Sequence, residues 1–384
     1  MKAVLAIDSY KGCLTSSEAE QAALSAFSAE DSVTMVPVSD GGEGFSSILT
    51  GILGGTMKEV DAHDPLGNPI KARYGLIRDS QVAVIETAAA TGLSLVPPSR
   101  RNPLYETSYG TGELIADALD EGVSQIWIGI GGSATCDAGL GLLQALGYRF
   151  ITSSGIVDNP VMANILSIDD THAHRGLKSV RISAFYDGDI PFCGRGGAAL
   201  GFSPQKGAGP RMAEALDGWM HMICELYSRY CGFPVMNAEG SGAAGGIGGA
   251  LQSVLHARML HGVKHFLEVI GFENSLTSEN GYPCIVITGE GRSDFQTLTG
   301  KLPLGVLHYV RSFAHPSTPV ILLSGKVDDP VEFYRAGFDE VVEVTPEGTP
   351  EELFTDSALA KENIRKALEP VLQKYRSKSL SINL

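Results

Sequence analysis

Short apolar runs that stop at an acid or a glycine recur along the chain. Ala3–Ile7 stops at Asp8-Ser9-Tyr10-Lys11-Gly12, and Val33–Val38 stops at Ser39-Asp40-Gly41-Gly42-Glu43-Gly44. Gln125–Ile130 runs into Gly131-Gly132-Ser133-Ala134-Thr135, and Val180–Tyr186 runs into Asp187. Cys284–Ile287 passes through Thr288 into Gly289-Glu290-Gly291-Arg292. A short apolar run ending in glycine reads as a buried strand that leaves a parallel sheet at its carboxyl end, with the polar residues in the turn beyond. Stretches of helical spacing lie between these runs. Ala19, Ala22, Ala23, Ala26 and Phe27 follow a Thr15-x-x-Glu18 capping box, and Phe45–Leu53, Leu140–Leu146, Met212–Tyr230, Leu304–Phe313 and Glu351–Tyr375 also read as helices. Pro319–Leu323 and Asp339–Val344 read as further strands. The fold class expected is α/β.

The rhythm changes in the middle of the chain. His63-Asp64-Pro65-Leu66-Gly67-Asn68-Pro69 is rich in breakers, and Ala72–Ile77 with Val82–Ala88 reads as an antiparallel hairpin. The expected organisation is therefore a discontinuous α/β domain of residues 1–65 and 283–384, with a second α/β domain of residues 66–282 inserted into it. A cleft between the two is the default site. Gly240-Ser241-Gly242-Ala243-Ala244-Gly245 matches GxGxxG, but no strand precedes it. The expectation there is a glycine-rich lead into a helix over 251–259, not a dinucleotide site.

Composition narrows the classes. Among 384 residues, 29 are basic and 44 acidic, for a net charge of −15, which disfavours nucleic acid as a partner. Hydrophobic content of 43% with 19% charged residues belongs to a soluble globular protein. The six cysteines show no CxxC and no metal spacing with histidine, so free thiols in a reducing cytosol are expected. The apolar run in MKAVLAIDSYKG is too short for a signal peptide, and no stretch approaches eighteen apolar residues. A cytoplasmic protein without a membrane span is the expectation, and the self-association considered is a homodimer.

The chemistry must then come from the strand ends. No GxxxxGK[ST] is present, because the glycine-lysine pair at 300–301 has Phe295 at the first glycine position and Leu302 where Ser or Thr is needed. HRD, DFG, GxSxG and HExxH are also absent. What remains is a set of acids beside glycine: Asp8, Asp40 with Glu43, Asp187, and Glu290 with Asp294. Paired carboxylates hold Mg²⁺ against phosphates or take a proton from a hydroxyl nucleophile. Lys11, Lys206, Arg292 and Lys301 supply cations for a carboxylate substrate and a migrating phosphoryl group. The strand–glycine loop–helix order at Gly131–Thr135 is the geometry that aims amides at an anion, and close packing of helix on strand is the competing reason for its glycines.

These motifs coincide with a known family. IDSYKG, SDGGEG (39–44), DPLG (64–67), TSYGTGEL (107–114), IGIGGSATCDAG (128–139), PQKGAG (204–209), GSGAAGG (240–246) and TGEGRSDFQTLTGKLPLGV (288–306) stand in order along essentially the whole chain. In these it resembles the class I glycerate kinases, which include bacterial glycerate 2-kinases. The resemblance implies ATP-dependent phosphorylation of D-glycerate with Mg²⁺ and 2-phosphoglycerate as product. It also implies two α/β domains, with flavodoxin-like or restriction-endonuclease-like layers. The roles expected on that basis are Glu290 and Asp294 for Mg²⁺, Asp187 or else Asp40 as the base, and Lys206 in catalysis. Asp8, Lys11, Gly41, Gly42, Glu43, Gly131, Gly132, Ser133, Thr135, Arg292 and Lys301 would bind substrate or phosphate. The chain departs from the family pattern at Cys136, Ala138 and Ile190, where asparagine, glycine and asparagine are usual. The alternatives are 3-phosphoglycerate as product, another short hydroxy acid as substrate, or a non-catalytic small-anion sensor. Acids at four strand ends favour an enzyme, because an anion binder gains nothing from them.

Overall fold

The computed structural model describes residues 1–276 and 285–382, so the expected boundary at 283 and the thiol of Cys284 fall outside it. Fourteen strands run through the described residues: β1 (Lys2–Ile7), β2 (Ser32–Met35), β3 (Thr56–His63), β4 (Pro69–Ile77), β5 (Val82–Glu86), β6 (Gln125–Gly129), β7 (Arg149–Thr152), β8 (Gly155–Val157), β9 (Ser167–Asp169), β10 (Arg181–Tyr186), β11 (Arg258–His261), β12 (Ile285–Ser293), β13 (Val320–Val327) and β14 (Glu340–Glu343). The chain forms two compact units, Met1–Asp40 with Val263–Leu384, and Gly41–Gly262.

The terminal unit holds a five-stranded parallel sheet in the order β14-β13-β12-β1-β2. Read from its other edge this is 2-1-3-4-5, the flavodoxin-like order of a doubly wound sheet. Ala3–Ile7, Ile285–Ile287 and Val320–Leu323 are fully buried. Continuous apolar runs of this kind are what a sheet covered on both faces requires. Ala19, Ala22 and Ala23 of helix Ser16–Leu24 join Ile364, Leu368 and Leu372 of helix Ser357–Ile382 in one core with Ala3, Leu5 and Ile7. The capping box is present: Thr15 Oγ1 accepts from Glu18 N at 3.2 Å, and the Glu18 carboxylate accepts from Thr15 N at 3.0 Å. Helix Leu302–Phe313 packs on β12 and β13.

One expectation fails here. β12 does not leave the sheet at Thr288 but continues to Ser293, pairing Glu290 with Ser324 and Arg292 with Lys326. Gly289 misled as a turn signal. A Cβ on it would lie 1.8 Å from the Leu323 carbonyl oxygen, so glycine here permits close strand approach.

The inner unit has a six-stranded mixed sheet in the order β11-β10-β6-β5-β4-β3. β4 is antiparallel to both β3 and β5, as the hairpin reading predicts for β4 and β5, and the other pairs are parallel. This unit also takes in residues 41–65, which the sequence division placed with the termini. Helix Phe45–Ile52 packs on β4 and β5, and β3 pairs with β4 from Thr56↔Leu76 to His63↔Pro69. β3 gives little sequence signal because most of its residues are exposed or half-buried. The helix expected over 251–259 is instead helix Ile247–Ser253 followed by β11. It starts early because Gly245 and Gly246 take the left-handed conformation just before it (φ 68° and 92°). A small antiparallel sheet, β8-β7-β9, completes the unit. Among the described residues no helix is long and apolar enough to cross a membrane, and the five described cysteines are free thiols.

Candidate active site

In the terminal unit the site grows from the carboxyl ends of β1 and β12. In the 2-1-3-4-5 order these two adjacent strands form the point where strand order reverses, which is where open α/β sheets bind ligands. Asp8 N donates to the Gly289 carbonyl at 2.9 Å, which ties the end of β1 to its neighbour. Asp8 is 5% exposed, Asp40 8% and Glu290 8%. Burial pushes the Asp8 carboxyl well above the ordinary range, and the Asp40 and Glu290 charges add to that. Lys11, whose Nζ stands 3.4 Å from Asp40 Oδ2, pulls the other way. Burial also raises the Glu290 carboxyl. Its Oε1 accepts from the Ser293 hydroxyl at 2.9 Å and the Thr297 hydroxyl at 2.7 Å, leaving Oε2 outside both bonds.

Asp294 directly follows β12. Its Oδ1 accepts from the amides of Gln296 (2.8 Å) and Thr297 (3.3 Å), and Asp294 N donates to Thr297 Oγ1 at 3.1 Å. Thr297 therefore links Asp294 to Glu290. Arg292 is exposed and binds Asp328 through Nε (3.1 Å) and Nη2 (2.8 Å). Lys301 stands at the N-terminus of helix Leu302–Phe313, where its charge helps Glu290 ionise. Asp8, Lys11, Glu290, Arg292, Asp294 and Lys301 share one pocket of about 350 Å³. Among the described residues no three His, Cys, Asp or Glu side chains form a ready-made metal cage. Magnesium does not need one, since it keeps several waters and binds through one or two carboxylates together with substrate phosphates. A buried Glu290 with one oxygen held by hydroxyls fits that mode.

In the inner unit the glycine loops meet at the carboxyl ends of β6 and β10. A Cβ on Gly131 would fall 2.6 Å from Gly42 Cα, and one on Gly41 would fall 3.0 Å from the Phe185 carbonyl oxygen. The amide of Gly131 donates to Gly41 O at 3.0 Å, and that of Ala134 to Thr91 O at 2.8 Å. These two amides are occupied by protein carbonyls, so Gly131 serves close packing and does not aim an amide at an anion. Glu43 is exposed beside Gly42. Asp187 follows β10 directly. The cationic group is Lys206, only 3% exposed. Its Nζ donates to Ser133 Oγ at 3.0 Å and to Thr135 O at 2.7 Å, so it braces the loop after β6. Among the described residues Thr135 Oγ1 and Ser203 Oγ are buried with no hydrogen-bond partner.

Sequence comparison now bears on this arrangement. Residues 3–376 match the model of the glycerate kinase family. The chain belongs to the glycerate kinase family. A Bacillus subtilis (strain 168) relative named glycerate kinase is 39% identical over 93% of this chain and 94% of its own. An Escherichia coli K12 relative named glycerate 2-kinase is 38% identical over 92% of this chain and 93% of its own. A crystal structure described as glycerate kinase 2 from Salmonella typhimurium LT2 aligns over 100% of both chains, with a TM-score of 0.79 and 36% identity.

Two departures from the glycerate kinase pattern acquire a physical meaning. Ala138 has φ 56°, the left-handed region where glycine is favoured and alanine is strained. Cys136 is fully buried in the apolar core of the inner unit, so its thiol acts as a small hydrophobe. Sequence reasoning missed Glu106 and Asp137. Glu106 is fully buried, with Asn102 N donating to Oε1 at 2.9 Å and Oε2 without a partner among the described residues. Asp137 accepts from Ser108 N (2.8 Å), Ser108 Oγ (2.7 Å), Gly139 N (3.1 Å) and Gly141 N (3.2 Å), which fastens the start of helix Leu140–Ala145. Neither acid follows an apolar run, so the rule that found the others passed over both.

Proposed function

We propose that this chain is an ATP-dependent glycerate kinase that phosphorylates D-glycerate at its 2-hydroxyl and releases ADP and 2-phosphoglycerate. The observation that carries the reading is the buried carboxylate group of Asp8, Asp40 and Glu290 beside Lys11, at the switch point of a 2-1-3-4-5 sheet. Family membership and the name of the Escherichia coli relative support the substrate and the position of transfer.

Mg²⁺, when bound, would supply positive charge to offset that of the phosphates. Glu290 through Oε2 and Asp294 through its second oxygen would hold it, directly or through water. Lys11, Arg292 and Lys301 bind anionic oxygens, with Arg292 shared with Asp328. Asp187 takes the proton of the attacking hydroxyl, and Asp40 is the second candidate. Lys206, with the Ser133 and Thr135 hydroxyls, offers positive charge and hydroxyl groups to a substrate anion. Asp8, held towards its neutral form by burial, fits a hydrogen-bond donor more than a metal ligand. A coupled assay of ADP release with D-glycerate, L-glycerate and glycerol tests the reading. Turnover with D-glycerate well above the ATPase background is expected, and no excess with any of the three would refute a kinase.

A further inference from the structure

Lys206 is an ammonium in the interior, and the acceptors that hold it, Ser133 Oγ and Thr135 O, are both neutral. An ammonium taken out of water is costly unless an opposite charge stands near it. Two buried acids share its surroundings. Burial raises the Cys136 thiol, and Lys206, Asp137 and Glu106 each act on it as well. Asp137 is committed to the start of helix Leu140–Ala145 by its bonds to Ser108, Gly139 and Gly141. Glu106 is not committed in this way, since it takes one amide, Asn102 N, and its Oε2 has no partner among the described residues.

The loop that carries Glu106 packs on the turn that carries Lys206. Arg101 Nη1 donates to Gln205 O at 3.4 Å, and a Cβ on Gly207 would lie 2.3 Å from Arg101 O, so glycine lets the two backbones meet. Asn102 follows Arg101, and its amide ties the Glu106 carboxylate to the same contact. Burial pushes the Glu106 carboxyl up, and the Asn102 amide, the Lys206 ammonium and the Arg101 guanidinium pull it down. Arg101 is only half-buried and spends Nε on Val96 O and Nη1 on Gln205 O. Lys206 is the buried one of the two cations. No direct ion pair joins it to Glu106 among the described residues, and two of its three N–H donors are placed on Ser133 and Thr135.

We propose that Glu106 is a positioning residue for phosphoryl transfer: its carboxylate is the counter-charge that keeps the Lys206 ammonium charged and seated while the third N–H stays available to the substrate anion. The inference rests on the kinase reading above, in which Lys206 meets that anion. A carboxylate bonded to the ammonium would compete with the anion for it. One acting from a short distance holds the charge and leaves the donor open. The charged and titratable groups around Glu106 are Lys206, Arg101 of its own loop, and Cys136 and Asp137 of the loop after β6. Among these the only acid with an uncommitted oxygen is Glu106 itself.

ADP release with D-glycerate, followed from about pH 6 to 10 in wild type, Glu106→Gln and Glu106→Asp, tests this. Glutamine keeps an acceptor for Asn102 N and removes the charge. In that variant kcat/KM for D-glycerate should fall off at a pH lower by about one unit or more, because a lysine without its negative neighbour loses its proton sooner. The loss should appear as a rise of about tenfold in KM for D-glycerate at the alkaline end, with KM for ATP within about twofold of wild type. Glu106→Asp should recover most of the shift. An alkaline limb that does not move in Glu106→Gln overturns the proposal, and so does an equal loss of turnover at every pH. Melting temperatures give a second answer without turnover. Glu106→Gln should be less favourable in wild type than in Lys206→Met, where it removes an unpaired buried charge. The same change in both backgrounds overturns the pairing. Absence of D-glycerate turnover in wild type overturns the kinase reading, and the melting temperatures then decide the pairing alone.

Discussion

The two units present the carboxyl ends of their parallel strands in different chemical terms. In the terminal unit the edge carries buried acids, and its cations, Lys11 and Arg292, stand out in solvent paired to Asp40 and Asp328. In the inner unit a buried cation, Lys206, held by a hydroxyl and a carbonyl, stands at the loops together with the buried acids Glu106 and Asp137. The first arrangement suits a metal and a polyphosphate, which bring their own charge. The second suits a small anion, because a buried ammonium with hydroxyls around it gains most from a negative partner.

The contrast can be broken at its strongest point first. Asp187→Asn removes the proposed base and should lower kcat by about 10²-fold or more with an unchanged melting curve. Near-normal turnover would remove Asp187 from the mechanism and promote Asp40. Next come the two buried charges, which should fail in different ways. Lys206→Met should abolish most activity and also cost about 1–3 kcal/mol in denaturant unfolding, because Ser133 Oγ and Thr135 O lose their donor. Glu290→Gln keeps an acceptor for Ser293 and Thr297, so stability should hold while the Mg²⁺ needed for half-maximal rate rises by about 10–100-fold. If both variants lose stability equally, the two edges are not chemically distinct.

The smallest effect lies away from either edge. Glu20 of helix Ser16–Leu24 is fully buried, with Oε2 unpartnered among the described residues, and burial raises its carboxyl from the ordinary 4.5 to about 9. It stays protonated in the fold while the unfolded chain ionises near 4.5. Its contribution is complete below that pH and is lost progressively as the pH climbs towards 9. Glu20→Gln, which cannot ionise, should melt near wild type at pH 5 and above it at pH 8, by about 1–3 kcal/mol in unfolding free energy. Equal melting differences at both pH values would mean that the carboxyl is not held neutral.

Asp8 was legible because it directly follows the fully buried run Ala3–Ile7, a local signal, whereas the strand before Asp40, β2, is mostly exposed. The same logic located the loops at Gly131 and Asp187. It misplaced Glu290 and Arg292 in a turn, since Gly289 marks either a turn or close strand approach until the position of Leu323 is known. The burial of Lys206 was not legible. Its partners Ser133 and Thr135 lie some seventy residues away in the chain, and nothing local separates it from a solvated lysine. The unit boundary went astray for a related reason: β3 is mostly exposed or half-buried, carries a weak pattern, and is held by its long pairing with β4.

The central claim is transfer of a phosphoryl group to one hydroxyl of one acid, and the product tests it most directly. Purified full-length protein with ATP, Mg²⁺ and D-glycerate should give a single new phosphate ester in ³¹P NMR, with proton coupling that places it on carbon 2. A phosphate coupled to the carbon 3 protons would contradict the position of transfer, and no new ester would contradict the kinase itself.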